Sequence, residues 1–136
     1  MKSIEYIKHK NRIIAIVIPH KLKLNEKIHF LTKNTEEFQI AVMNRSTKDL
    51  VKPHFHPKQK RILNFTNEFI LILKGKVKIN FFAPLAKKKK IKSIILKTGD
   101  AVCFLNCGHS LEFIVKTKLL EVKQGPYTNN KDKVFI

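Results

Sequence analysis

Two histidines, His54 and His56, have the residue type and the spacing of metal ligands. They lie two residues apart in the segment Pro53-His-Phe-His-Pro57. Because alternate residues of a strand project from the same face, a strand at this position places the two imidazoles side by side. Two neutral imidazoles together with a carboxylate make a good site for a divalent first-row metal. Pairs of this kind also arise by chance, so the prediction depends on further ligands.

Two later segments supply a carboxylate and a third imidazole. Glu68 opens an apolar run that ends at Gly75. The pair Gly99-Asp100 precedes another apolar run, and the pair Gly108-His109 follows it. This order is His-x-His, then Glu before a Gly, then Gly-Asp, a strand and Gly-His. With these motifs the chain resembles the cupins, a family of small β-barrels that carry two such motifs on adjacent strands.

The cupin resemblance implies one divalent transition metal (Fe, Mn, Ni, Zn or Cu) inside the barrel, held by His54, His56, Glu68 and His109. Three imidazoles and one carboxylate leave coordination positions for water or a substrate. The sequence departs from the common pattern in two places. Eleven residues separate His56 from Glu68, which is a longer spacing than usual. In the second motif, Leu105 or Asn106 stands where the family has proline. Whether Glu68 is a ligand therefore stays open.

The C-terminus carries a second, more specific resemblance. The run from Glu121 to Tyr127, followed by Asp132-Lys133 and Phe135, is similar to the ending of the WbuC-type cupin-fold metalloproteins, whose genes lie in polysaccharide and O-antigen clusters. This resemblance implies a small polar or anionic ligand, such as a sugar or sugar nucleotide. A metal-dependent isomerase, epimerase or oxygenase fits it, and so does a non-catalytic binding or sensor module, because a fold does not determine the chemistry.

Four residues are candidates for contacts with the small molecule that binds at the metal. Glu121 is the best candidate for a general base. Arg61 lies in the long loop beside the predicted metal site, and its guanidinium suits a phosphate or carboxylate. Lys123 and Tyr127 complete the set, within a C-terminal run that either contributes to the site or forms a structural latch. A surface position explains Arg61 equally well.

The elements that must position these residues are predicted to be strands, because the apolar residues recur with a period of two. In Lys76 to Phe82, for example, Val77, Ile79 and Phe81 share one face. The ten predicted strands cover residues 13–18, 28–31, 38–43, 50–56, 68–73, 76–82, 91–96, 101–105, 111–115 and 118–123. We therefore expect an all-β fold, either a closed barrel or a sandwich, and the cupin resemblance implies a small jelly-roll-like barrel. It forms a single domain over residues 1–136, with the cupin motifs at about 50–127 and residues 1–49 as leading strands.

The charge of the chain raises the question of nucleic acid. Lys and Arg number 28 against ten acids, for a net charge of +18, but only Arg12, Arg45 and Arg61 are arginines. Proteins that read bases favour the bidentate guanidinium. The lysine run 87–90 falls at a predicted hairpin tip without aromatic residues for base stacking. We expect a solvated loop there and no specific nucleic-acid partner.

The sequence also bears on the compartment and the assembly of the protein. No stretch approaches the length of apolar sequence that crosses a bilayer, and the N-terminus has no signal-peptide pattern. Cys103 and Cys107 are interpreted as buried thiols of a reducing compartment. We therefore expect a cytoplasmic protein with a small-molecule ligand and no membrane partner. The cupin resemblance also allows a homodimer.

Overall fold

The computed structural model describes residues 3–84, 89–127 and 132–136, and its chain divides into two compact units. The first unit comprises Met1–Leu22 and Phe65–Ile136, and the second comprises Lys23–Asn64. Every regular element in the described part of the chain is a β-strand, and all paired strands are antiparallel. The prediction of an all-β fold is confirmed.

Ten strands follow one another along the described chain. They are β1 (Glu5–His9), β2 (Arg12–Ile18), β3 (Ile28–Phe30), β4 (Ala41–Met43), β5 (Glu68–Lys74), β6 (Lys76–Phe82), β7 (Lys90–Lys97), β8 (Ala101–Phe104), β9 (Gly108–Phe113) and β10 (Lys118–Lys123). Nine predicted strands appear, those at 76–82 and 118–123 with the predicted ends and the other seven with shifted ends. Strand β1 was not predicted, and of the lysine run at 87–90 the residues Lys87 and Lys88 lie outside the described residues.

The first unit contains two sheets, with strand orders β1-β2-β8-β5-β10 and β7-β6-β9. Their apolar faces form one core, as the alternation in β6 predicts, because Val77, Ile79 and Phe81 are all fully buried. Val102 and Phe104 of β8 belong to the same cluster. In the part of the chain that is described, each sheet ends in strands with one neighbour, and no closed barrel of hydrogen-bonded strands is found.

The second unit contains the β3–β4 hairpin, and it corrects one predicted strand. Residues 50–56 were expected to form a strand, but residues 50–63 have no regular secondary structure. Pro53 and Pro57 lack the N–H group that a strand ladder needs, which opposes pairing of this segment. Its apolar residues are also unburied, since Phe55 is 84% exposed. His54 and His56 therefore lie on an irregular segment.

A search of the described residues for helices able to span a membrane finds none.

Candidate metal centre

Glu68 and His109 come together where the two sheets of the first unit face each other. Glu68 opens β5 and lies directly opposite Phe104 of β8, whereas His109 on β9 lies opposite Phe81 of β6. Directly opposite residues project from the same face of a sheet. The buried rings of Phe81 and Phe104 have centroids 5.9 Å apart, so these faces meet in the core. As a result, Nε2 of His109 lies 3.6 Å from Oε2 of Glu68.

Two contacts hold the imidazole of His109 in this orientation. Its ring stacks on Phe104 with centroids 3.8 Å apart and planes 12° from parallel. Its Nδ1 donates a hydrogen bond of 3.1 Å to the backbone carbonyl of Cys107. A carbonyl only accepts, so Nδ1 carries a proton and Nε2 is the atom that faces the carboxylate. The preceding turn places Asn106 at φ 57°, a conformation that proline cannot adopt.

The local charges keep Glu68 ionised. Burial raises the pKa of its carboxyl group, but the contact with His109, the charge of His109 when its imidazole is protonated, and the charges of Lys133 and Lys123 oppose this effect. The net result is a pKa below the ordinary glutamate value. Glu68 is therefore a carboxylate at neutral pH, the form in which it binds a metal ion.

The Glu68–His109 pair has the donor atoms and the spacing of two ligands of one metal ion. Two ligands that each lie about 2.1 Å from a metal, at angles of about 90° to 120°, are roughly 3.0 to 3.6 Å apart. The Nε2–Oε2 distance of 3.6 Å is at the upper end of that range. Metal-binding histidines also commonly donate their other N–H to a carbonyl, as His109 does. Among the residues described, no group of three or more His, Cys, Asp or Glu side chains is arranged to hold a metal.

His54 and His56 form a second pair, within the unit Lys23–Asn64. Their ring centroids are 5.3 Å apart and the planes stand at 80°, so the two imidazoles are neighbours without the expected strand. Nδ1 of His54 donates to the carbonyl of Lys52 at 2.9 Å, which leaves Nε2 as its acceptor nitrogen. Both side chains are exposed. That they bind the same metal as Glu68 and His109 stays a prediction.

Two of the predicted ligand-contact residues are exposed. Arg61 donates to the side-chain oxygen of Gln59 at 3.3 Å, in the irregular segment of the second unit. Glu121 lies opposite Ile70, on the face of the larger sheet that also carries Glu68. It is exposed because β10 is the last strand of that sheet. Neither residue is seen with a partner that assigns it a catalytic or binding role.

Lys123 and Tyr127 lie closer to the metal-ligand candidates. Lys123 is directly opposite Glu68 on the neighbouring strand. Its Nζ lies 3.4 Å from a carboxylate oxygen of Asp132 and 5.1 Å from the centre of the Tyr127 ring. The C-terminal residues thus gather around the start of β5 and include a latch contact, because the side-chain oxygen of Gln124 accepts the Asn67 N–H at 2.6 Å.

Sequence reasoning missed the supports of His109, namely the ring of Phe104 and the carbonyl of Cys107. No pattern in the sequence marks them, because an aromatic core residue and a backbone carbonyl carry no motif. The described arrangement supplies an oriented imidazole, a neighbouring carboxylate and nearby lysines. No family model, no curated protein and no solved structure matches this chain.

Proposed function

We propose that this protein is a cupin-type metalloprotein that binds a divalent transition metal through Glu68 and His109. The observation that carries the proposal is the pair itself, an oriented Nε2 at 3.6 Å from a carboxylate oxygen. An all-β fold and the antiparallel strands that present the two side chains support the cupin assignment. His54 and His56 are the sequence-predicted candidates for the remaining ligands.

A proton-transfer role for His109 is a weaker alternative. A histidine that acts as a general base needs one ring nitrogen directed at the substrate. In His109, Nδ1 is bound to the Cys107 carbonyl and Nε2 is directed at the carboxylate of Glu68. A metal ion between the two residues uses this geometry, because it binds the unprotonated Nε2 and the carboxylate together. The arrangement therefore favours metal binding over acid–base catalysis by His109.

The ligand that we propose for this centre is a small anionic metabolite, such as a sugar acid or a sugar nucleotide. Lys123 and Lys133 both lower the pKa of Glu68 by their charge and so add positive potential at the pair, while Asp132 lies beside Lys123. Such potential attracts an anion toward the centre. A bound divalent metal polarises a carbonyl or hydroxyl oxygen. Glu68 and His109 then serve to hold the ion, and the lysines serve to orient the anion.

Metal titration of untagged protein, freed of metal by a chelator, tests the proposal. We expect one equivalent of Mn, Fe, Ni, Zn or Cu to bind, and Glu68→Gln and His109→Phe to weaken binding by about tenfold or more. The His109→Phe variant keeps a ring against Phe104, which separates ligand loss from misfolding. His29→Ala, a change at a histidine outside the site, is the matched control. Unchanged affinity in both site variants, with the fold intact by circular dichroism, contradicts the proposal.

The same titration tests the other ligands and the kind of function. If His54→Ala and His56→Ala also lose affinity, the sequence-predicted ligand set is correct; if they do not, these histidines are excluded from it. Incubating the metal-loaded protein with sugar nucleotides and sugar acids separates an enzyme, which changes the compound, from a sensor module, which only binds it. Absence of both turnover and binding contradicts the proposed ligand class.

A further inference from the structure

Three turns of the first unit meet at one end, remote from Glu68 and His109 along the strands. These are the β5–β6 turn at Gly75, the β7–β8 turn at Thr98 and the β9–β10 turn at 114–117. The backbone N–H of Gly75 donates to Oγ1 of Thr98 at 3.0 Å. The carbonyl of Lys76 accepts from the N–H of Ile114 at 3.0 Å and from Oγ1 of Thr117 at 3.2 Å. We call this the turn end.

Three consecutive apolar residues project from the turn end. Phe113, Ile114 and Val115 are 60%, 45% and 50% exposed. Their backbone is held, because the N–H groups of Ile114 and Val115 both point to the carbonyl of Lys76. Three consecutive exposed apolar residues on a backbone held in this way make a candidate interaction site.

Lysines lie on the same three turns as these apolar residues. Five of them lie on or beside the three turns: Lys74, Lys76, Lys97, Lys116 and Lys118. Lys118 lies directly opposite Lys74 on the paired strands, and Lys76 lies opposite Lys97. Like charges directly opposite each other destabilise a sheet. Folding alone therefore does not account for this arrangement.

The nearest acidic side chains are engaged elsewhere. Asp100 accepts backbone N–H groups of His20 and Lys97, both at 3.0 Å. Glu112 lies 3.0 Å from the Nζ of Lys78 and also accepts from Asn80. In the described part of the chain, none of the five lysines at the turn end forms an ion pair with an acidic side chain. The turn end thus combines exposed apolar residues with lysines that have no acidic partner among the described residues.

We propose that the turn end docks on an anionic lipid membrane surface. Phe113, Ile114 and Val115 enter the boundary between headgroups and acyl chains, and the five lysines contact the anionic headgroups. A nucleic-acid backbone satisfies the lysines but leaves the apolar residues without a partner, so a lipid surface fits better. This differs from the sequence-based expectation of no membrane partner. That expectation considered membrane-spanning segments and a single lysine run, whereas the turn end is assembled from three turns.

Cosedimentation with vesicles tests this proposal. We expect the protein to sediment with phosphatidylcholine vesicles that contain phosphatidylserine, to bind pure phosphatidylcholine far less, and to dissociate as salt is raised. The variant Lys116→Glu with Lys118→Glu and the variant Phe113→Ser should each bind at least about tenfold more weakly. A matched control, Lys58→Glu with Lys60→Glu, makes the same change of charge on the irregular segment and should bind as the wild type does.

Three outcomes overturn the proposal. The first is no sedimentation with the anionic vesicles. The second is an equal loss in the Lys58/Lys60 control, which shows that net charge alone drives binding. The third is unchanged vesicle binding in the Phe113→Ser variant together with duplex DNA binding that requires Lys116 and Lys118, which identifies a phosphate-backbone surface. Thermal unfolding of each variant excludes misfolding as the cause of a loss.

Discussion

At the scale of single residues, Cys107 contributes its backbone and not its thiol to the candidate metal centre. Its carbonyl accepts from Nδ1 of His109, whereas its Sγ lies 3.2 Å from the carbonyl oxygen of Gly108 and 3.6 Å from that of Phe82. Burial raises the pKa of the Cys107 thiol to about 11 and that of Cys103 to about 12. Both cysteines are free thiols. In the metal-free protein both thiols therefore stay protonated at neutral pH, and neither is a reactive nucleophile.

These raised pKa values predict a loss of stability in alkali. The thiols ionise near 9 in the unfolded chain and only near 11 and 12 in the folded one. Between these values the unfolded state binds fewer protons, so the free energy of unfolding falls as the pH rises above about 9. Chemical denaturation of the wild type and of Cys103→Ala with Cys107→Ala at pH 8 and pH 10 measures this. The double variant should show the smaller fall; an equal fall in both proteins contradicts the prediction.

At the scale of elements, the β5–β6 turn depends on the missing side chain of Gly75. Its φ is 110°, outside the range that other residues readily adopt. A Cβ at this position comes within 2.7 Å of the carbonyl oxygen of Lys116. The turn therefore places β5 and β6 beside the β9–β10 turn, which is how the turn end is assembled.

Gly75→Ala should destabilise the protein by at least about 2 kcal/mol, because a strained φ and a backbone clash act together. Gly125→Ala is the matched control, since nothing lies nearer than 3.9 Å to a Cβ there. Urea unfolding of both variants measures the difference in the free energy of unfolding. Equal stabilities of the two variants contradict this account of the turn.

At the scale of the whole molecule, the two proposed sites lie at opposite ends of one strand. Glu68 is the first residue of β5 and Lys74, at the turn end, is the last. Seven strand residues span about 20 Å, at roughly 3.3 Å per residue. Substitutions at such a distance, with no shared partner, usually act independently.

Metal and vesicle binding should therefore be additive. We expect the fraction of protein that sediments with anionic vesicles to be the same after chelator treatment as with metal present, and the same in Glu68→Gln as in the wild type. Metal affinity should likewise be unchanged in the variant Lys116→Glu with Lys118→Glu. A severalfold change in either direction contradicts the independence of the two ends.

At this scale, the positions of the basic residues are more informative than their number. Among the described residues, the fold brings Lys123 and Lys133 near Glu68 and places five lysines at the turn end. The net charge of +18 therefore does not by itself indicate a function. The positions of the lysines in space decide which anion they attract.

How far the sequence predicts the strands depends on where their partners lie. In β6 the alternation of Val77, Ile79 and Phe81 was sufficient to predict the strand, because one face of the strand packs in the core. Strand β1 was missed because it is an edge strand with a single buried residue, Ile7. The prediction of a strand at residues 50–56 was wrong because a strand needs hydrogen bonds to distant residues, and a proline has no N–H group to donate one.

The sequence by itself determined the fold class and the residue types of the candidate ligands, since alternation and side-chain chemistry are local properties. It marked Glu68 and His109 but not their distance, nor the ring and carbonyl that orient the imidazole. Only the tertiary structure decided these, along with the clustering of five lysines and three apolar residues from separate turns. The physical reason is that pairing and packing join residues distant in sequence, and no local pattern records which strand lies beside which.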